Sequence, residues 1–531
     1  MHLSDLIPGE PGSSANIDIS GITSDSRNVE PGYLFFAIAG NHADGRDYIA
    51  SAIAAGATAI VTDERELSPS LIADINKNSA VINKNSAVIN KNSGGMVPAD
   101  GEKIPILHRT DPRRELALAA ARFWPRQPGM IAAVTGTNGK TSCAEFLRQI
   151  WQRATWDAVS IGTLGLQGAD PRDMQGSMMG LPPLTTPDAV SLHKALHPLC
   201  AAGITHLALE ASSHGLEQRR LDGLKIHVAG FTNLTRDHLD HHPDMEAYFT
   251  AKSRLFTDLL MHGGSAVINI DDAYGAQLAK MLKARTSVDH VVLTVGQNEH
   301  ADFVISAIKP MDFGLEIEVQ HKDVELRIPV ALAGAFQAMN AITAAVMAHA
   351  SGLALHDSLG ALPYVTGADG RMQLISGHPI GARVIIDYAH TPDALSAALT
   401  ALRPEARGKL AVLFGAGGDR DEGKRAMMGE VASKLADIIY VTDDNPRTEN
   451  PADIRAAIIS GAPDAFEISD RADAIKRAIG DLKPEDVLLI AGKGHESFQL
   501  VGDETLPFSD AAVARSTISS MIDSARNGGV A

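Results

Sequence analysis

The chain has 531 residues, of which 45% are hydrophobic and 21% are charged, a composition typical of globular proteins rather than of disordered or fibrous ones. This length exceeds what one hydrophobic core supports and predicts about three or four domains. The 47 basic residues are outnumbered by 64 acidic ones, giving a net charge of −17. Nucleic acid is therefore excluded as a general partner, because phosphate binding requires a basic face.

The N-terminus, MHLSDLIP, has no basic segment followed by an apolar stretch, so we expect no secretory signal. The longest apolar segment, Ala331–Ala350, is interrupted by polar residues and predicts a buried helix rather than a membrane span. Cys143 and Cys200 fit neither a disulfide framework nor a zinc spacing. We therefore expect a cytoplasmic monomer without membrane insertion.

Short β-branched runs alternate with alanine-rich amphipathic stretches along most of the chain, a pattern that predicts βα units and parallel sheets. Gly, Asp or Glu follows each run closely, where a parallel sheet presents its functional groups. Changes in composition place domain boundaries near residue 108 and near residues 367–370. The predicted domains are residues 1–108, 109–369 and 370–531.

A seven-residue pattern, INKNSAV, begins at Ile75 and recurs at Ile82 and, with an altered end, at Ile89. Its Asn and Ser residues disfavour a helix, and three copies are too few for a solenoid. We interpret residues 75–95 as a tandem-duplicated surface insertion that is unrelated to the chemistry.

Residues 135–141 read TGTNGKT and lie between an apolar strand and a helical stretch, the context that a phosphate-binding loop requires. Glycines allow backbone N–H groups to turn inward, the helix N-terminus attracts anions, and Lys140 can reach terminal phosphates. The loop is shorter than usual, and a plain glycine turn with a surface lysine is the less favoured alternative. The predicted phosphate contacts are Gly136, Thr137, Asn138, Gly139, Lys140, Thr141 and Ser142.

Glu210 and Lys252 lie after the loop, and the sequence around each of them leads to a different expectation. Glu210 ends a predicted strand, and a carboxylate at such a place beside a phosphate loop suits Mg²⁺. Thr141 offers a hydroxyl to the same kind of cation. Lys252, taken alone, has the pattern of an ordinary exposed lysine on a helix.

A hydrolase-type zinc site is the competing interpretation of the next segment. His238, Asp240 and His241 resemble part of a metallo-hydrolase signature, but Arg236 occupies the place of its first histidine. A zinc-dependent hydrolase would also have no evident use for the phosphate loop. We therefore favour a Mg²⁺-linked role for His238 and expect His241 and His242 to be solvated or structural.

Together these motifs resemble the Mur ligases, the ATP-dependent amide-forming enzymes of peptidoglycan synthesis. The segments that carry the resemblance occur in the family's order and are residues 135–141, 210–220, 233–240 and 387–393. The resemblance covers nearly the whole chain apart from residues 75–95. It implies an α/β fold with three domains: an N-terminal UDP-binding domain, a central P-loop ATPase domain and a Rossmann-like C-terminal domain that binds the amino acid.

Three C-terminal segments narrow the resemblance to members that add meso-2,6-diaminopimelate: GGDRD at 417–421, DNPR at 444–447 and GKGHE at 492–496. The implied substrates are ATP, meso-diaminopimelate and UDP-N-acetylmuramoyl-L-alanyl-D-glutamate. The implied reaction joins the amino acid to the D-glutamate through an acyl phosphate. A planar guanidinium at Arg447 suits the second carboxylate of diaminopimelate.

The resemblance also implies individual roles. The uridine diphosphate would bind Ser24, Ser26, Asn41, His42 and Ala43. The muramoyl dipeptide would bind Thr185, Thr186, Ser212, Gln218 and Arg220. Further ATP contacts would come from Asn340, Arg371 and Asp387. Diaminopimelate would bind Arg420, Asp444, Asn445, Pro446, Arg447, Gly492 and Glu496. Mg²⁺ would bind Thr141, Glu210, His238 and Lys252, the last as a carbamylated lysine. Lys140, Glu210, His238 and Lys252 would be catalytic.

One departure and three alternatives remain. Relatives carry Asn where this chain has Gln337, whose longer side chain puts one nucleoside contact in question. A P-loop switch without ligase activity would hydrolyse ATP slowly without acceptor or amine. A folylpolyglutamate synthetase shares the loop but would not explain residues 444–447 or the N-terminal segment. A lysine-adding Mur ligase is the nearest alternative.

Overall fold

The computed structural model describes residues 1–9, 13–40, 43–66, 68–69, 71–72, 104–169, 181–238, 241–285, 289–311 and 314–528. Asn41, His42 and the repeat at 75–95 lie outside these ranges. The chain divides into two compact units. Unit 1 contains Met1–Thr135, Asp157–Ala229 and Arg236–Gly264, and unit 2 contains Gly136–Trp156, Gly230–Thr235 and Ser265–Ala531. The domain boundaries near residues 108 and 369 stay predictions.

Strands and helices alternate along the chain. The strands are β1 Gly21–Thr23, β2 Tyr33–Ala37, β3 Ala59–Thr62, β4 Ile106–His108, β5 Met130–Thr135, β6 Ala158–Gly162, β7 Gly165–Gln167, β8 His206–Glu210, β9 Ile226–Phe231, β10 Leu260–Asn269, β11 Val291–Gly296, β12 Phe303–Met311, β13 Gly314–His321, β14 Val324–Val330, β15 Gln373–Ile375, β16 Arg383–Asp387, β17 Leu410–Phe414, β18 Ile438–Val441, β19 Phe466–Glu467, β20 Val487–Ala491, β21 Phe498–Val501 and β22 Glu504–Pro507. The α-helices are α1 Leu3–Leu6, α2 Ile49–Ala54, α3 Pro112–Phe123, α4 Lys140–Arg153, α5 Ala189–Ala201, α6 Ser213–Glu217, α7 Met245–Arg254, α8 Ala273–Lys283, α9 Ala335–Ala350, α10 Leu355–Gly360, α11 Pro392–Leu402, α12 Gly423–Leu435, α13 Pro451–Ile459, α14 Arg471–Gly480 and α15 Asp510–Gly528.

The N-terminal sheet of unit 1 consists of parallel strands in the order β1-β2-β3-β4. Alternate residues of β2 enter different cores: Leu34 and Phe36 pack in one cluster with Leu3, whereas Phe35 packs in another with Ile49. Both faces of the strand are therefore covered by apolar side chains, which is the arrangement expected of a parallel sheet.

Strands β9-β5-β8-β6-β7 are hydrogen-bonded in this order in unit 1. β5 and β8 run parallel, with Val134 opposite Glu210, and β6 is parallel to β8 on its other side. Almost every residue of β5 and β8 is buried, as their continuous apolar sequences predict. The pairing places Glu210 beside the end of β5, from which the phosphate loop leaves.

In unit 2, α4 packs against α9. Trp151 on α4 donates its indole N–H to the Ser351 hydroxyl at 2.9 Å. The buried helix predicted within residues 331–350 is confirmed, and it begins at Ala335 because Gly334, with φ +84°, ends the preceding loop. Within the described ranges, no helix is long and apolar enough to cross a membrane.

Strands β14-β13-β12-β11-β10 follow in this order in unit 2. The pairs β10–β11 and β11–β12 are parallel, whereas β12, β13 and β14 form antiparallel pairs. Leu315, Ile317 and Val319 alternate along β13 and are buried, while most of β14 is exposed. One face of this antiparallel extension therefore faces the core and its edge faces solvent.

The C-terminal sheet of unit 2 has the strand order β15-β16-β20-β17-β18-β19, in which β15 is antiparallel and the other strands are parallel. Neighbouring residues of β20 face opposite cores: Leu489 packs in a cluster with Leu399 of α11, and Ile490 packs with Ile475 and Ile479 of α14. Helices cover both faces, so the expected Rossmann-like arrangement is confirmed.

The loops that follow β16, β17, β18 and β20 leave from the same edge of this sheet, because these strands are parallel. They contain the three C-terminal segments that the sequence indicates, 417–421, 444–447 and 492–496. The strand order therefore gathers segments that are far apart in sequence at one edge.

A buried ion pair joins two of these loops. Arg471 and Asp510 are both fully buried, and their bidentate hydrogen bonds measure 2.7 and 2.8 Å. The same guanidinium donates to the main-chain carbonyl of Asp443 at 3.3 Å and to that of Ala491 at 2.9 Å. These carbonyls lie at the starts of the loops after β18 and β20, so Arg471 holds the two loops at a fixed spacing.

Replacing Arg471 by Met leaves Asp510 buried without its counter-charge, and we expect the C-terminal sheet to lose about 3–5 kcal/mol of stability. The R471M/D510L double variant removes both charges and should regain most of that loss. Hydrogen exchange of β18 and β20 measures the effect locally. Arg477→Ala, which removes an exposed ion pair with Asp481, is the control and should change exchange little. Exchange in R471M equal to that of the unmodified chain would contradict this account.

Candidate active site

The phosphate loop connects the end of β5 to the first residue of α4. Gly139 has φ +87° and caps α4, and Gly136 has φ +149°. A Cβ on Gly136 would lie 1.9 Å from the Thr232 hydroxyl, and a Cβ on Gly139 would lie 2.4 Å from Oδ1 of Asn340. Both glycines are therefore required by conformation and by close packing, not only by the approach of a phosphate.

Residues 232–235 brace this loop through hydrogen bonds. The Thr137 N–H donates to the Asn233 carbonyl at 2.9 Å, and the Asn138 N–H donates to Oδ1 of Asn233 at 3.0 Å. The Thr232 hydroxyl donates to the Asn138 carbonyl at 2.6 Å. The segment that the sequence analysis grouped with a metal site thus also fixes the shape of the phosphate loop.

The ammonium of Lys140 lies over the loop. Its Nζ donates to the carbonyls of Gly136 at 3.0 Å and of Thr137 at 2.8 Å. Thr141 and Ser142 are buried in the first turn of α4. A lysine ammonium and a helix N-terminus at one loop form a site of positive potential that suits phosphate groups.

Gln337 links two of the predicted nucleotide contacts. Its Oε1 accepts a hydrogen bond from Nδ2 of Asn340 at 3.0 Å, and its Nε2 donates to the Arg371 carbonyl at 2.9 Å. Gln337 and Asn340 are both buried. The Gln337 amide therefore links Asn340 on α9 to the main chain of Arg371. Gln337, which replaces the Asn of the family pattern, thus has a structural role.

Asp387, at the end of β16, is held by backbone donors. Its carboxylate accepts hydrogen bonds from the Met372 N–H at 2.8 Å and from the Ala389 N–H at 2.9 Å. The Arg371 guanidinium lies over the Tyr388 ring, 4.8 Å from its centroid. The structure thus brings Asp387 close to Arg371, as their shared predicted role requires.

In unit 1, Glu210 is a buried carboxylate at the end of β8. It accepts hydrogen bonds from the Thr163 N–H at 2.7 Å and from the Thr163 hydroxyl at 3.3 Å. A Cβ on Gly162 would lie 2.0 Å from its Oε1, so the preceding glycine makes room for it. Oxygen ligands of this kind suit Mg²⁺.

The five residues predicted to bind the muramoyl dipeptide form one hydrogen-bonded group around Glu210. The Thr186 hydroxyl donates to the Glu210 carbonyl at 2.8 Å and contacts the Ser212 hydroxyl at 3.0 Å. The Arg220 guanidinium donates to the Thr186 carbonyl at 2.7 Å and to Oε1 of Gln218 at 2.8 Å. Thr185 joins the group through its hydroxyl, 3.1 Å from that of Thr163.

Lys252 is buried on α7, contrary to the exposed position that its local sequence pattern indicates. Its Nζ lies 4.6 Å from the centre of the Tyr248 ring. Lys252 is therefore a buried amine beside an aromatic face, not a solvated lysine.

His238 belongs to a cluster of imidazoles in unit 1. It adopts φ +53°, its side chain is partly exposed, and its ring lies 5.1 Å from that of His214. Burial, reinforced by the neighbouring histidines, lowers the pKa of His214 to about 4. His242 is buried and is therefore not solvated, whereas His241 is partly exposed and contacts Glu217.

The predicted uridine contacts follow strand ends of the N-terminal sheet. Ser24 is exposed after β1, Ser26 is half-buried in a 3₁₀ turn, and Ala43 is exposed. Asn41 and His42 lie outside the described residues. Because β1 and β2 are parallel, the segments after them leave from one edge of the sheet. Uridine binding at this edge stays a prediction.

At the edge of the C-terminal sheet, Asp444, Asn445 and Pro446 are buried, Arg447 is half-buried and Arg420 is exposed. Arg447 adopts φ +51° and donates from Nη1 to the Gly418 carbonyl at 2.7 Å. Gly492 has φ +110°, and a Cβ there would lie 2.6 Å from Oδ2 of Asp444. These contacts join all three C-terminal segments.

Lys493, which the sequence analysis did not select, lies at the centre of this edge and is fully buried. Its Nζ donates to Oδ1 of Asn445 at 3.0 Å and to Oε2 of Glu496 at 2.8 Å, and Nδ2 of Asn445 donates to the same Glu496 oxygen at 2.9 Å. The only available signal was its position in the GKGHE segment. Thr163, the partner of Glu210, was also missed, and a threonine after a strand gives no signal of its own.

A phosphate loop followed by a doubly wound C-terminal sheet defines an α/β nucleotide-binding protein. Family models match three consecutive parts of the chain: the Mur ligase family, catalytic domain, over residues 18–121, the Mur ligase middle domain over 134–348 and the Mur ligase, glutamate ligase domain over 370–494. The chain belongs to the Mur ligase family.

The relatives carry one specific name. A UDP-N-acetylmuramoyl-L-alanyl-D-glutamate–2,6-diaminopimelate ligase of Mesorhizobium japonicum is 45% identical and covers 98% of this chain and 99% of its own. The ligase of that name from Rhizobium meliloti is 46% identical over 96% of each chain. A solved structure of a ligase of that name is 32% identical, with a TM-score of 0.70 and coverage of 98% of this chain and 99% of that one.

Replacing Gly139 by Ala should abolish nucleotide binding, because the new Cβ would meet the Asn340 side chain and the residue would keep a strained positive φ. Titration calorimetry with ADP and ATP measures the loss, which we expect to be about 100-fold or more. Gly360→Ala, at a position where a Cβ meets nothing within 4 Å, is the control. Normal nucleotide affinity in G139A would show that this loop does not bind the phosphates.

Proposed function

We propose that this chain is the ATP-dependent ligase that adds meso-2,6-diaminopimelate to the D-glutamate of UDP-N-acetylmuramoyl-L-alanyl-D-glutamate. The observation that carries the proposal is the C-terminal edge, where Asn445 and Glu496 meet around Lys493 and Arg447 donates to the Gly418 carbonyl. The names of relatives at 45% and 46% identity support the same substrates. In this assignment residues 1–108 bind the UDP end, 109–369 bind ATP, and 370–531 bind the amino acid.

The reaction begins with a carboxylate that is too stable to form an amide in water. The D-glutamyl carboxylate attacks the γ-phosphorus of ATP, the bond to ADP breaks, and an acyl phosphate forms. The amine of diaminopimelate then attacks the acyl carbon, and phosphate leaves after a tetrahedral intermediate while the amine loses a proton. ATP therefore activates the acid, and ADP and phosphate are the products.

Charge is the main obstacle to the first step. Two like charges about 4 Å apart repel by about 4 kcal/mol at an effective dielectric near 20. Lys140 and the N-terminus of α4 supply positive potential at the phosphates. Arg220, which is hydrogen-bonded to Thr186 and Gln218, supplies it at the muramoyl dipeptide. Catalysis here consists of positioning and charge stabilisation.

Mg²⁺ is the cofactor that these residues fit. Glu210 is a buried carboxylate that accepts hydrogen bonds from Thr163, and such an oxygen donor suits a hard cation. Glu210, His238 and Lys252 would hold Mg²⁺ in unit 1, and Thr141 offers a hydroxyl to the nucleotide's own cation. Bound Mg²⁺ would neutralise the negative charge that develops on the transferred phosphoryl group.

Lys252 fits this role only after modification. An ammonium repels a cation, whereas reaction of the neutral amine with CO₂ forms an N–C bond, releases a proton and leaves an anionic carbamate. Lys252 is buried, and its Nζ lies 4.6 Å from the centre of the Tyr248 ring. The carbamate would then provide oxygen ligands where the unmodified lysine provides none.

The decisive assay offers diaminopimelate and lysine in parallel with ATP and the UDP-muramoyl dipeptide. We expect amide formation and ADP release with diaminopimelate, and much slower turnover with lysine. Equal use of both amino acids indicates a less selective ligase. ATP hydrolysis that needs neither acceptor nor amine indicates a P-loop switch, and turnover with folate and glutamate indicates a folylpolyglutamate synthetase.

Arg447→Ala should raise KM for diaminopimelate about ten- to 100-fold, because hydrogen bonds to a charged group contribute about 1.5–3 kcal/mol. The increase in KM stays within this range because Arg447 is only half-buried and its Nη1 is already bonded to the Gly418 carbonyl. KM values for ATP and the UDP-dipeptide should change little. Arg477→Ala, at an exposed arginine on α14, is the control. An unchanged KM in R447A would remove Arg447 from the amino-acid site.

Lys252→Ala should lower kcat by about 100-fold or more, as expected when a group that stabilises transition-state charge is removed. Bicarbonate should not rescue it, whereas Lys252→Glu, which restores a carboxylate, should recover part of the activity. A carbamate signal in the ¹³C NMR spectrum after incubation with labelled bicarbonate should be present in the unmodified chain and absent in K252A. The exposed Lys225, replaced by Ala, is the control. Near-normal turnover in K252A would contradict the assignment.

A further inference from the structure

The imidazole cluster of unit 1 contains three groups that the ligase reaction does not use. Glu217, His241 and His242 each offer one possible ligand atom, and these atoms lie within 4.8 Å of one another. Nε2 of His241 is 2.6 Å from Oε2 of Glu217, and Nδ1 of His242 is 3.9 Å from the same oxygen. Two imidazoles and one carboxylate are a common ligand set of zinc sites.

The surrounding fold holds these groups in place. The main-chain N–H groups of His241 and His242 both donate to the His238 carbonyl, at 3.1 and 2.9 Å, in a tight turn. The His214 ring lies 4.0 Å from that of His241, and the Tyr248 ring lies 5.0 Å from that of His242. The two histidines are therefore fixed by their backbone and by ring contacts on separate sides.

His242 is the buried member of this group. It is 2% exposed, and its Nδ1 is the ring nitrogen that lies 3.9 Å from Oε2 of Glu217. His241 is 21% exposed and Glu217 is 50% exposed at their side chains, so a cation can reach the group from solvent.

The distances suit a metal after small side-chain rotations. Bonds of about 2.0–2.2 Å in a tetrahedral arrangement place ligand atoms about 3.3–3.5 Å apart. The observed separations of 2.6 and 3.9 Å lie on either side of this value. Opening the contact between His241 and Glu217 and closing that between His242 and Glu217, each by less than about 1 Å, would bring both contacts with Glu217 to this value.

The chemistry of the ligands selects the metal. Imidazole nitrogen binds zinc, nickel and copper ions well, whereas Mg²⁺ prefers oxygen ligands in an octahedral arrangement. Two of the three ligands here are imidazoles. Millimolar Mg²⁺ should therefore compete poorly at this group, and the proposed Mg²⁺ ligands Glu210, His238 and Lys252 are different residues.

We propose that Glu217, His241 and His242 form a binding site for a transition-metal dication of the Zn²⁺ type, with a water molecule completing the coordination. The site goes beyond the ligase activity and does not depend on which amino acid the enzyme adds. The predicted Mg²⁺ ligand His238 is its neighbour, because the main-chain carbonyl of His238 accepts hydrogen bonds from His241 and His242.

Equilibrium dialysis of the full chain with ZnCl₂ tests the site, in the presence of excess Mg²⁺ and without substrates. We expect one Zn²⁺ per chain, with affinity weakened about tenfold or more by Glu217→Gln and by His241→Ala. Both residues are accessible to solvent, so these variants should fold normally, which thermal unfolding verifies. X-ray absorption of the zinc-loaded chain should show two imidazole ligands.

The matched control is His300→Ala, which changes an exposed histidine of unit 2. This variant should bind Zn²⁺ normally. His238→Ala and Lys252→Ala locate the ion. Zinc binding that is lost in these two variants but retained in E217Q and H241A places the ion at the Mg²⁺ ligands and overturns the proposal. Weak binding that no variant changes overturns it as well. Because no substrate is present, failure here is independent of failure of the ligase assignment.

Discussion

Parallel strand pairing is the constraint on which the functional geometry of this protein depends. Parallel strands present all their carboxyl ends at one edge, so residues that are distant in sequence leave the sheet side by side. In unit 1 this pairing places Glu210 beside the end of β5. In the C-terminal sheet it gathers the loops after β16, β17, β18 and β20. Each predicted site is thus a consequence of strand order combined with a short polar segment at the strand end.

Two fully buried lysines, Lys493 and Lys252, have different surroundings in these sites. Lys493 is stabilised directly, because the Glu496 carboxylate and the Asn445 amide oxygen accept its hydrogen bonds. The amine of Lys252 lies against the Tyr248 ring. Lys493 thereby joins the loops after β18 and β20, whereas Lys252 is the residue that we propose is carbamylated.

The local elements with strong sequence signals were predictable. The phosphate loop, the strand that ends at Glu210 and the buried helix before Ala350 follow from glycine spacing and apolar runs, and the structure confirms them. The roles of the five residues predicted to bind the muramoyl dipeptide were inferred only from the resemblance to the family. Their hydrogen bonds could not be read from sequence, since Thr185 meets Thr163, and Arg220 meets Thr186, only after folding.

Burial was the property that the sequence could not provide. The local pattern around Lys252 matches an exposed helix, and only the packing of α7 shows that the side chain is buried. Gln337 is a conservative departure in sequence, and the structure shows that its amide is bonded to both Asn340 and the Arg371 carbonyl. The cluster of His241, His242 and Glu217 also depends on tertiary contacts, because Glu217 lies on α6, far from the histidines in sequence.

The central claim is that ATP activates the acceptor by phosphorylating its carboxylate. The most direct measurement uses UDP-muramoyl dipeptide labelled with ¹⁸O in the D-glutamyl carboxylate, with ATP and diaminopimelate, and determines the isotope content of the released phosphate by mass spectrometry. The account predicts that one ¹⁸O atom passes to phosphate for each amide formed. Phosphate without the label, released at the same rate as the amide, would contradict it.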